Sequence, residues 1–382
     1  MKISWENQAS YLLLNSNYSQ DDRQRFYRIL DLATDWPGHF WLSTSGSSIK
    51  KWVGLSKEAM LSSAQAVNQH LSSHSKDRWV NPLPSFHVGG LAIFARAFLT
   101  GAQVFDFREF GQGKWKADAF YNYAADVKAT LTALVPTQLH DLVLLNKRAP
   151  STLRGVVIGG GELLPDLYDK AMALGWPILP SYGMTECASQ IATAPLESCE
   201  KGSLPPLKLL SHIRAVEAEG RLAFSGPSLL SVYAFIESEE VTFIDPKQEG
   251  WFISEDLGVI KNRCVTMLRR ADKMVKIGGE NVDLASLENH LQTLRLSMAI
   301  EPEVTLIILP DQRLGSLLIC ASNSLNQEAI APLLRRYQDT VLPFERIRKI
   351  SLVPQIPRSC LGKIMKSELI SLVSAQPKNI AD

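Results

Sequence analysis

The chain has 382 residues, 46% of them hydrophobic and 21% charged, enough apolar material for a large core and more than one domain. Lys+Arg 40 against Asp+Glu 39 leaves a net charge of +1, so the balance gives no reason to expect nucleic acid or an acidic membrane surface as a partner. The polar start Met1-Lys2-Ile3-Ser4-Trp5-Glu6-Asn7, the lack of an apolar run of bilayer length and five scattered cysteines without a CxxC pair predict a cytoplasmic protein with reduced thiols, no stable membrane association and no structural zinc site.

In chain order, Trp5 to about Asp35 is polar and weakly helical, and His39 to Leu42 reads as a short strand ending in the hydroxyl-rich run Thr44-Ser45-Gly46-Ser47-Ser48. Lys50-Lys51-Trp52-Val53-Gly54-Leu55 follows. Ser56 is then a plausible N-cap for a helix with Met60, Leu61, Ala64, Val67 and Leu71 on its inner face. Pro82 to Gly101 carries Ser85-Phe86-His87-Val88-Gly89-Gly90 ahead of an apolar helix. Thr130 to Val135 reads as a strand, with a helix running on through Leu139 to Leu145. Val156-Val157-Ile158 is a buried-strand pattern that breaks into Gly159-Gly160-Gly161-Glu162, and Pro165 suits the first position of a helix from Asp166 to Leu174. A strand Pro177 to Leu179 then delivers a tight turn at Tyr182-Gly183. Repeated strand and helix alternation predicts an α/β protein built on a parallel sheet, with both loops at one sheet edge.

From about Lys201 to Ile260 the pattern changes to short strands and turns, expected to form a small antiparallel β subdomain. After the charged stretch Arg269-Arg270-Ala271-Asp272-Lys273 the apolar pattern restarts, with a helix at Leu284 to Leu294 and strands at Val304 to Leu309 and Ser316 to Ala321. The expected division is a large domain, residues 1–271, and a small α+β domain, residues 273–382, hinged near Asp272.

Hydroxyls, glycines and following lysines suit a polyphosphate, and a carboxylate after the Tyr-Gly turn suits its metal. Neither familiar phosphate motif fits: G-x-x-x-x-G-K-S/T cannot be laid on Gly46 onward, and Gly159-Gly160-Gly161 does not continue as G-x-G-x-x-G. Each segment alone has a bland reading as solvated loop, core tyrosine or surface carboxylate.

Taken in order, the segments resemble the adenylate-forming superfamily of acyl-CoA synthetases, adenylation domains and luciferases. Thr44 to Ser48 resembles its phosphate loop, Tyr182-Gly183-Met184-Thr185-Glu186 its central nucleotide motif, and Ser254-Glu255-Asp256-Leu257-Gly258 its ribose motif. Arg270-Ala271-Asp272 with Lys276-Ile277-Gly278-Gly279-Glu280-Asn281 resembles its hinge motif, and Pro357-Arg358-Ser359-Cys360-Leu361-Gly362-Lys363-Ile364 its C-terminal lysine motif. The resemblance spans about Phe40 to Leu369.

It implies ATP, Mg²⁺ and CoA as cofactor and co-substrates and a small-molecule carboxylic acid as partner. Thr44 to Ser48 and Lys51 would cradle phosphate, Thr185 would contact the α-phosphate and Glu186 would hold Mg²⁺. Tyr182 and Gly183 would lie by the adenine, beside Gly160, Gly161 and Glu162. Asp256 would bind the ribose near Arg270. Lys363 would stabilise the developing charge of the first half-reaction, with Lys276, Gly278 and Gly279 moving to the pantetheine tunnel for the second. Within the superfamily, Ser85 to Ala92 and Gly183 to Gln190 are most similar to the 2-succinylbenzoate-CoA ligase family of menaquinone biosynthesis. That similarity implies an acid pocket drawing on Phe86, His87, Gly89, Gly90, Ser181, Ser189 and Gln190. His87 as a packed histidine, a ligase or adenylation enzyme for another aryl or amino acid, and a degenerate nucleotide-binding relative stay open.

Two departures bear on this. Ser48 is followed by Ile49-Lys50-Lys51, without the usual Gly-x-Pro-Lys, which restricts the backbone where it approaches phosphate. The hydroxyl loop also comes much earlier than in most members, which implies an N-terminally shortened first domain. A homo-oligomer is compatible with the sequence, which does not set the oligomeric state.

Overall fold

The structure, a computed structural model, describes residues 3–15, 18–43, 51–110, 115–198, 204–237, 240–270, 274–277, 280–311, 313–359 and 362–375. The expected phosphate-loop residues Thr44, Ser45, Gly46, Ser47 and Ser48, the hinge at Asp272, and Gly278 and Gly279 lie outside them. The chain divides into two compact units, one comprising Met1–Ser254 with Gly258–Thr266 and the other Glu255–Leu257 with Met267–Asp382.

The first unit is built on two sheets. Gln103–Asp106, Arg78–Asn81, Leu131–Leu134, Gly155–Ile158 and Ile178–Met184 lie side by side in that order, all parallel. Chain order runs outward in both directions from the gap between Arg78–Asn81 and Leu131–Leu134. That gap is a topological switch point, and the loops leaving its carboxyl edge are where open α/β sheets bind ligands. Helices Val88–Thr100, Pro136–Leu144 and Pro165–Ala173 follow three of these strands, the last two opening on proline. Val80, Leu134, Val156, Ile158 and Ile178 pack with Phe120, Tyr168 and Trp176 into one buried cluster.

The expected tight turn at Tyr182-Gly183 is instead extended. The strand runs on to Met184 and pairs antiparallel with Ser189–Thr193, with a register shift between Tyr182 and Gly183. The turn itself is the single 3-10 turn Thr185–Cys187. Gly183 is required by close approach, since a Cβ there would strike the Ser189 carbonyl oxygen.

The second sheet is five-stranded, in the order Tyr11–Leu13, His39–Ser43, Lys51–Ser56, Val232–Glu237, Glu240–Ile244. Ser56 caps helix Lys57–His70, its side chain accepting from the Ala59 amide, and Met60, Ala64 and Val67 are buried as expected. The strands between Leu207 and Arg270 pair antiparallel but are shared between sheets: Leu207–Leu209 extends the large sheet and Val232–Glu237 joins the five-stranded one.

In the second unit, Val304–Asp311 pairs antiparallel with Gly315–Ser322, which pairs parallel with Lys349–Leu352. Alternating side chains feed two faces. Leu306, Leu318 and Cys320 pack with Leu287, Leu291 and Tyr337 from helices Leu284–Ser297 and Ala331–Gln338. Ile307, Ile319 and Ala321 pack with Leu369 and Val373 of helix Lys366–Ala375. Asp283 caps the first of these helices through the Ala285 and Ser286 amides.

Candidate active site

In the first unit a charged cluster forms where the 3-10 turn Thr185–Cys187 meets the five-stranded sheet. The Glu186 carbonyl accepts from the Leu230 amide at 2.8 Å, which anchors the turn to the start of strand Val232–Glu237. Glu186 Oε1 then accepts from the Tyr233 hydroxyl at 2.9 Å and lies 3.2 Å from Lys51 Nζ. The Lys51 ammonium is 4.0 Å from the Tyr233 ring centroid, within range of a cation–π contact. Strand pairing sets this up, because Phe235 stands opposite Lys51 and Tyr233 opposite Val53. Both charged side chains are largely covered, at 25% and 13% exposure, so their attraction is less screened than at an open surface.

Tyr233 was not legible as a site residue. It sits in the alternating run Val232-Tyr233-Ala234-Phe235-Ile236, where a tyrosine reads as core. Only the pairing with the Lys51 strand reveals its hydroxyl as a partner of Glu186.

Two loops at the carboxyl edge of the parallel sheet carry expected site residues. After Gly155–Ile158, Gly160 adopts φ +76° and is exposed with Gly161 and Glu162, so backbone is presented there without covering side chains. Ser181 Oγ donates to the Ile158 carbonyl at 3.0 Å, tying this loop to the next strand. After Arg78–Asn81, His87 stands at the N-cap of Val88–Thr100, its ring 4.8 Å from that of Phe86. Gly90 is packed so closely that a Cβ would strike the Pro84 carbonyl oxygen, whereas a Cβ on Gly89 would meet only Leu83 Cδ1 at 3.4 Å. Ser85 and Phe86 also line a cavity of about 710 Å³, together with Trp5, Phe94, Phe98 and Asp106.

Tyr182 is half-buried, its ring centroid 6.0 Å from that of Phe224. Thr185 opens the 3-10 turn, which Ala188 closes in the left-handed region, and Ser189 follows at φ +93°. Two consecutive non-glycine residues at positive φ mark local strain. Ser189 and Gln190 are buried. The Gln190 amide donates to Thr193 Oγ1 at 2.6 Å, while its Oε1 has no protein partner among the described residues.

The second unit holds the remaining candidates. Arg270 Nη1 donates to Asp256 Oδ1 at 3.0 Å, with the Asp256 side chain only 6% exposed. Lys276 is exposed on the hairpin Met274–Ile277 and Glu280–Asp283. Lys363 is solvent-exposed as a residue, yet dehydration of its ammonium and then the neighbouring Arg270 charge lower its pKa from the ordinary lysine value.

Among the described residues no group of three or more His, Cys, Asp or Glu side chains could cage a metal ion. A single carboxylate beside a lysine fits an ion held mainly by phosphate oxygens, as Mg²⁺ is in nucleotide sites. Glu186 would supply the protein oxygen and Lys51 a cation for the phosphates.

The 2-succinylbenzoate–CoA ligase of Oceanobacillus iheyensis is 26% identical over 322 residues, covering 80% of this chain and 64% of that protein. The enzyme of the same name from Enterococcus faecalis is 24% identical over 325 residues, covering 81% and 64%. The chain thus spans less than two thirds of the length of these relatives. The structure of o-succinylbenzoate CoA synthetase from Bacillus subtilis, in complex with the acyl-adenylate intermediate OSB-AMP, has the same fold, with a TM-score of 0.70 at 24% identity over 86% of this chain and 68% of that one. Residues 40–233, half of the chain, match the AMP-binding enzyme family, which takes in the Lys51, Glu186 and Tyr233 cluster and the glycine loop: the chain is a member of that family.

Proposed function

We propose that the chain is an ATP-dependent acid–CoA ligase that works through an acyl-adenylate, with 2-succinylbenzoate as its acid in menaquinone biosynthesis. The observation that carries the reading is the convergence of Lys51 and Tyr233 on Glu186, in the unit that also carries the open glycine loop. This places a lysine, a carboxylate and open backbone on elements of one unit, as a metal-bound polyphosphate requires. A second structure of the Bacillus subtilis enzyme is a complex with ATP and magnesium ion, which supports the same cofactors here.

In this reading the acid carboxylate attacks the α-phosphorus of ATP. Pyrophosphate leaves and a mixed anhydride forms, whose carbonyl the CoA thiolate then attacks with AMP as leaving group. Mg²⁺ would neutralise phosphate charge when bound. Thr185 donates to the α-phosphate, Tyr182 and Gly183 border the adenine beside Gly160 and Gly161, and Asp256, held by Arg270, takes the ribose hydroxyls. Lys363 supplies positive charge as the pentavalent phosphorus develops, a stabilisation realised in the transition state. Phe86, His87, Gly89 and Gly90 bound the acid pocket, with Ser181, Ser189 and Gln190 near its carboxylates. Lys276 serves the thioester step.

Incubation with MgATP, CoA and a panel of aryl and dicarboxylic acids, read as AMP and as acyl-CoA by mass, tests this. Succinylbenzoyl-CoA is the expected product. Benzoyl-type products alone would favour a ligase for another aryl acid, a reading the 26% identity to the named ligases keeps in play. No AMP with any acid would point to a nucleotide-binding relative without the reaction.

A further inference from the structure

Residues 357–359 and 362–365 are bonded to each other. Met365 N donates to the Pro357 carbonyl at 2.9 Å, Ser359 N to the Lys363 carbonyl at 2.7 Å and Gly362 N to the Ser359 carbonyl at 2.8 Å, while Arg358 and Ile364 form an antiparallel bridge. Gly362 takes φ +75° at the residue before the lysine. One side chain spans this loop from outside. Arg358 Nη1 donates to the Gly362 carbonyl, and its Nη2 donates to Glu303 Oε1 at 2.8 Å.

Glu303 is a firm anchor, because its own backbone is held on both sides. Its amide donates to Asn323 Oδ1 at 2.8 Å, and its carbonyl accepts from Ser322 Oγ at 2.8 Å and from the Asn323 amide at 3.2 Å. Arg295 backs it, bonded to the Pro302 and Glu301 carbonyls at 2.9 and 3.2 Å. Glu303 therefore sits among two guanidinium groups of the same small unit. Three residues after the lysine, Lys366 Nζ lies 3.2 Å from Glu288 Oε2, and Glu288 Oε2 also accepts from the Leu306 amide at 2.8 Å.

We propose that Arg358 is a positioning residue for Lys363: anchored on Glu303, it grips the Gly362 carbonyl and so fixes the direction in which Lys363 leaves the loop. This rests on the reading of Lys363 as the adenylation lysine. A point charge acting on a reacting phosphoryl group is sensitive to its placement, and a displacement of about 1 Å costs about 100-fold in rate. The Arg358 to Glu303 pair is about one third exposed on both sides, so a pair of this kind adds little to stability. Its value lies in geometry.

The test compares Arg358→Gln, Arg358→Lys, Glu303→Gln and the swapped pair Arg358→Glu with Glu303→Arg in two assays, adenylate formation from acid and MgATP, and thioester formation from supplied acyl-adenylate. Arg358→Gln should lower kcat for adenylate formation by about 10- to 100-fold with a much smaller change in KM for ATP, leaving thioester formation nearly unchanged. Arg358→Lys should recover part of the rate. The swapped pair should stay slow, since a glutamate at 358 cannot donate to the Gly362 carbonyl. Amide hydrogen exchange across residues 362–365, which needs no activity, should quicken about tenfold in Arg358→Gln. Unchanged exchange, or equal loss in both half-reactions, would overturn the positioning role. Normal adenylate formation in Lys363→Ala would instead overturn the reading of the lysine, leaving the exchange result to judge the latch.

Discussion

Lys51 Nζ lies 3.2 Å from Glu186 Oε1, and the Tyr233 hydroxyl donates to that same oxygen at 2.9 Å. One carboxylate oxygen is thus doubly held by the protein, and in the proposed function this carboxylate would face the metal-bound phosphate. Tyr233→Phe removes one hydrogen bond to a charged group, with an expected loss of about 1.5 kcal/mol in urea denaturation. KM for ATP should rise several-fold as Glu186 loses its fixed direction. Lys51→Ala should raise KM for ATP further, because it removes a phosphate cation as well as the ion pair. Equal KM values in wild type and both variants would remove this cluster from the nucleotide site.

The two adjacent glycines of the proposed acid-pocket segment, Gly89 and Gly90, should respond differently to a methyl group. A Cβ on Gly90 meets backbone oxygens of Pro84 and Leu83 that cannot rotate away. Gly90→Ala should therefore cost about 1–3 kcal/mol. Gly89 lies in the first turn of Val88–Thr100 with ordinary contact distance to Leu83, so Gly89→Ala should be neutral or stabilising by up to about 1 kcal/mol. Thermal or urea unfolding of the two variants checks this, and Gly90→Ala as stable as wild type would contradict the close packing.

Asp77 gives the fold a pH dependence. Its fully buried carboxylate is pushed up by burial, but bonds from Arg154 at 3.0 and 2.6 Å, from the His74 amide at 2.9 Å and from Thr130 Oγ1 at 2.8 Å outweigh this and hold its pKa at about 2, below the ordinary value of 3.8. A depressed folded-state pKa means stability that is present above the unfolded-state pKa and lost as pH falls toward the folded one. About 2 kcal/mol should disappear between roughly pH 4 and pH 2. In Asp77→Asn that loss should be absent, so the stability gap to wild type should narrow over this window. Denaturation midpoints for both proteins across this range measure it, and parallel curves would contradict the assignment.

Much of the parallel sheet was legible because its strands are buried on both faces and read as continuous apolar runs, as at Val156-Val157-Ile158, and because Pro165 punctuates the helix that follows. What stayed hidden depends on partners distant in sequence. Tyr11–Leu13 is three residues long in a polar stretch and becomes a strand only by pairing parallel with His39–Ser43. Tyr182 and Gly183 carry turn chemistry locally, yet Ser189–Thr193 draws them into a ladder. The order of motifs pointed to Glu186, Lys51 and the glycine loop. Tyr233 and the Arg358 to Glu303 pair needed the strand pairings and side-chain distances.

The central claim, that an acid carboxylate attacks the α-phosphorus of ATP on this chain, is tested most directly by isotope transfer. With 2-succinylbenzoate labelled by ¹⁸O in its carboxylates, MgATP and CoA, the AMP should carry one ¹⁸O atom per acyl-CoA formed, since the acid oxygen stays with AMP when the thiolate attacks the carbonyl. Unlabelled AMP, or label in orthophosphate, would contradict it.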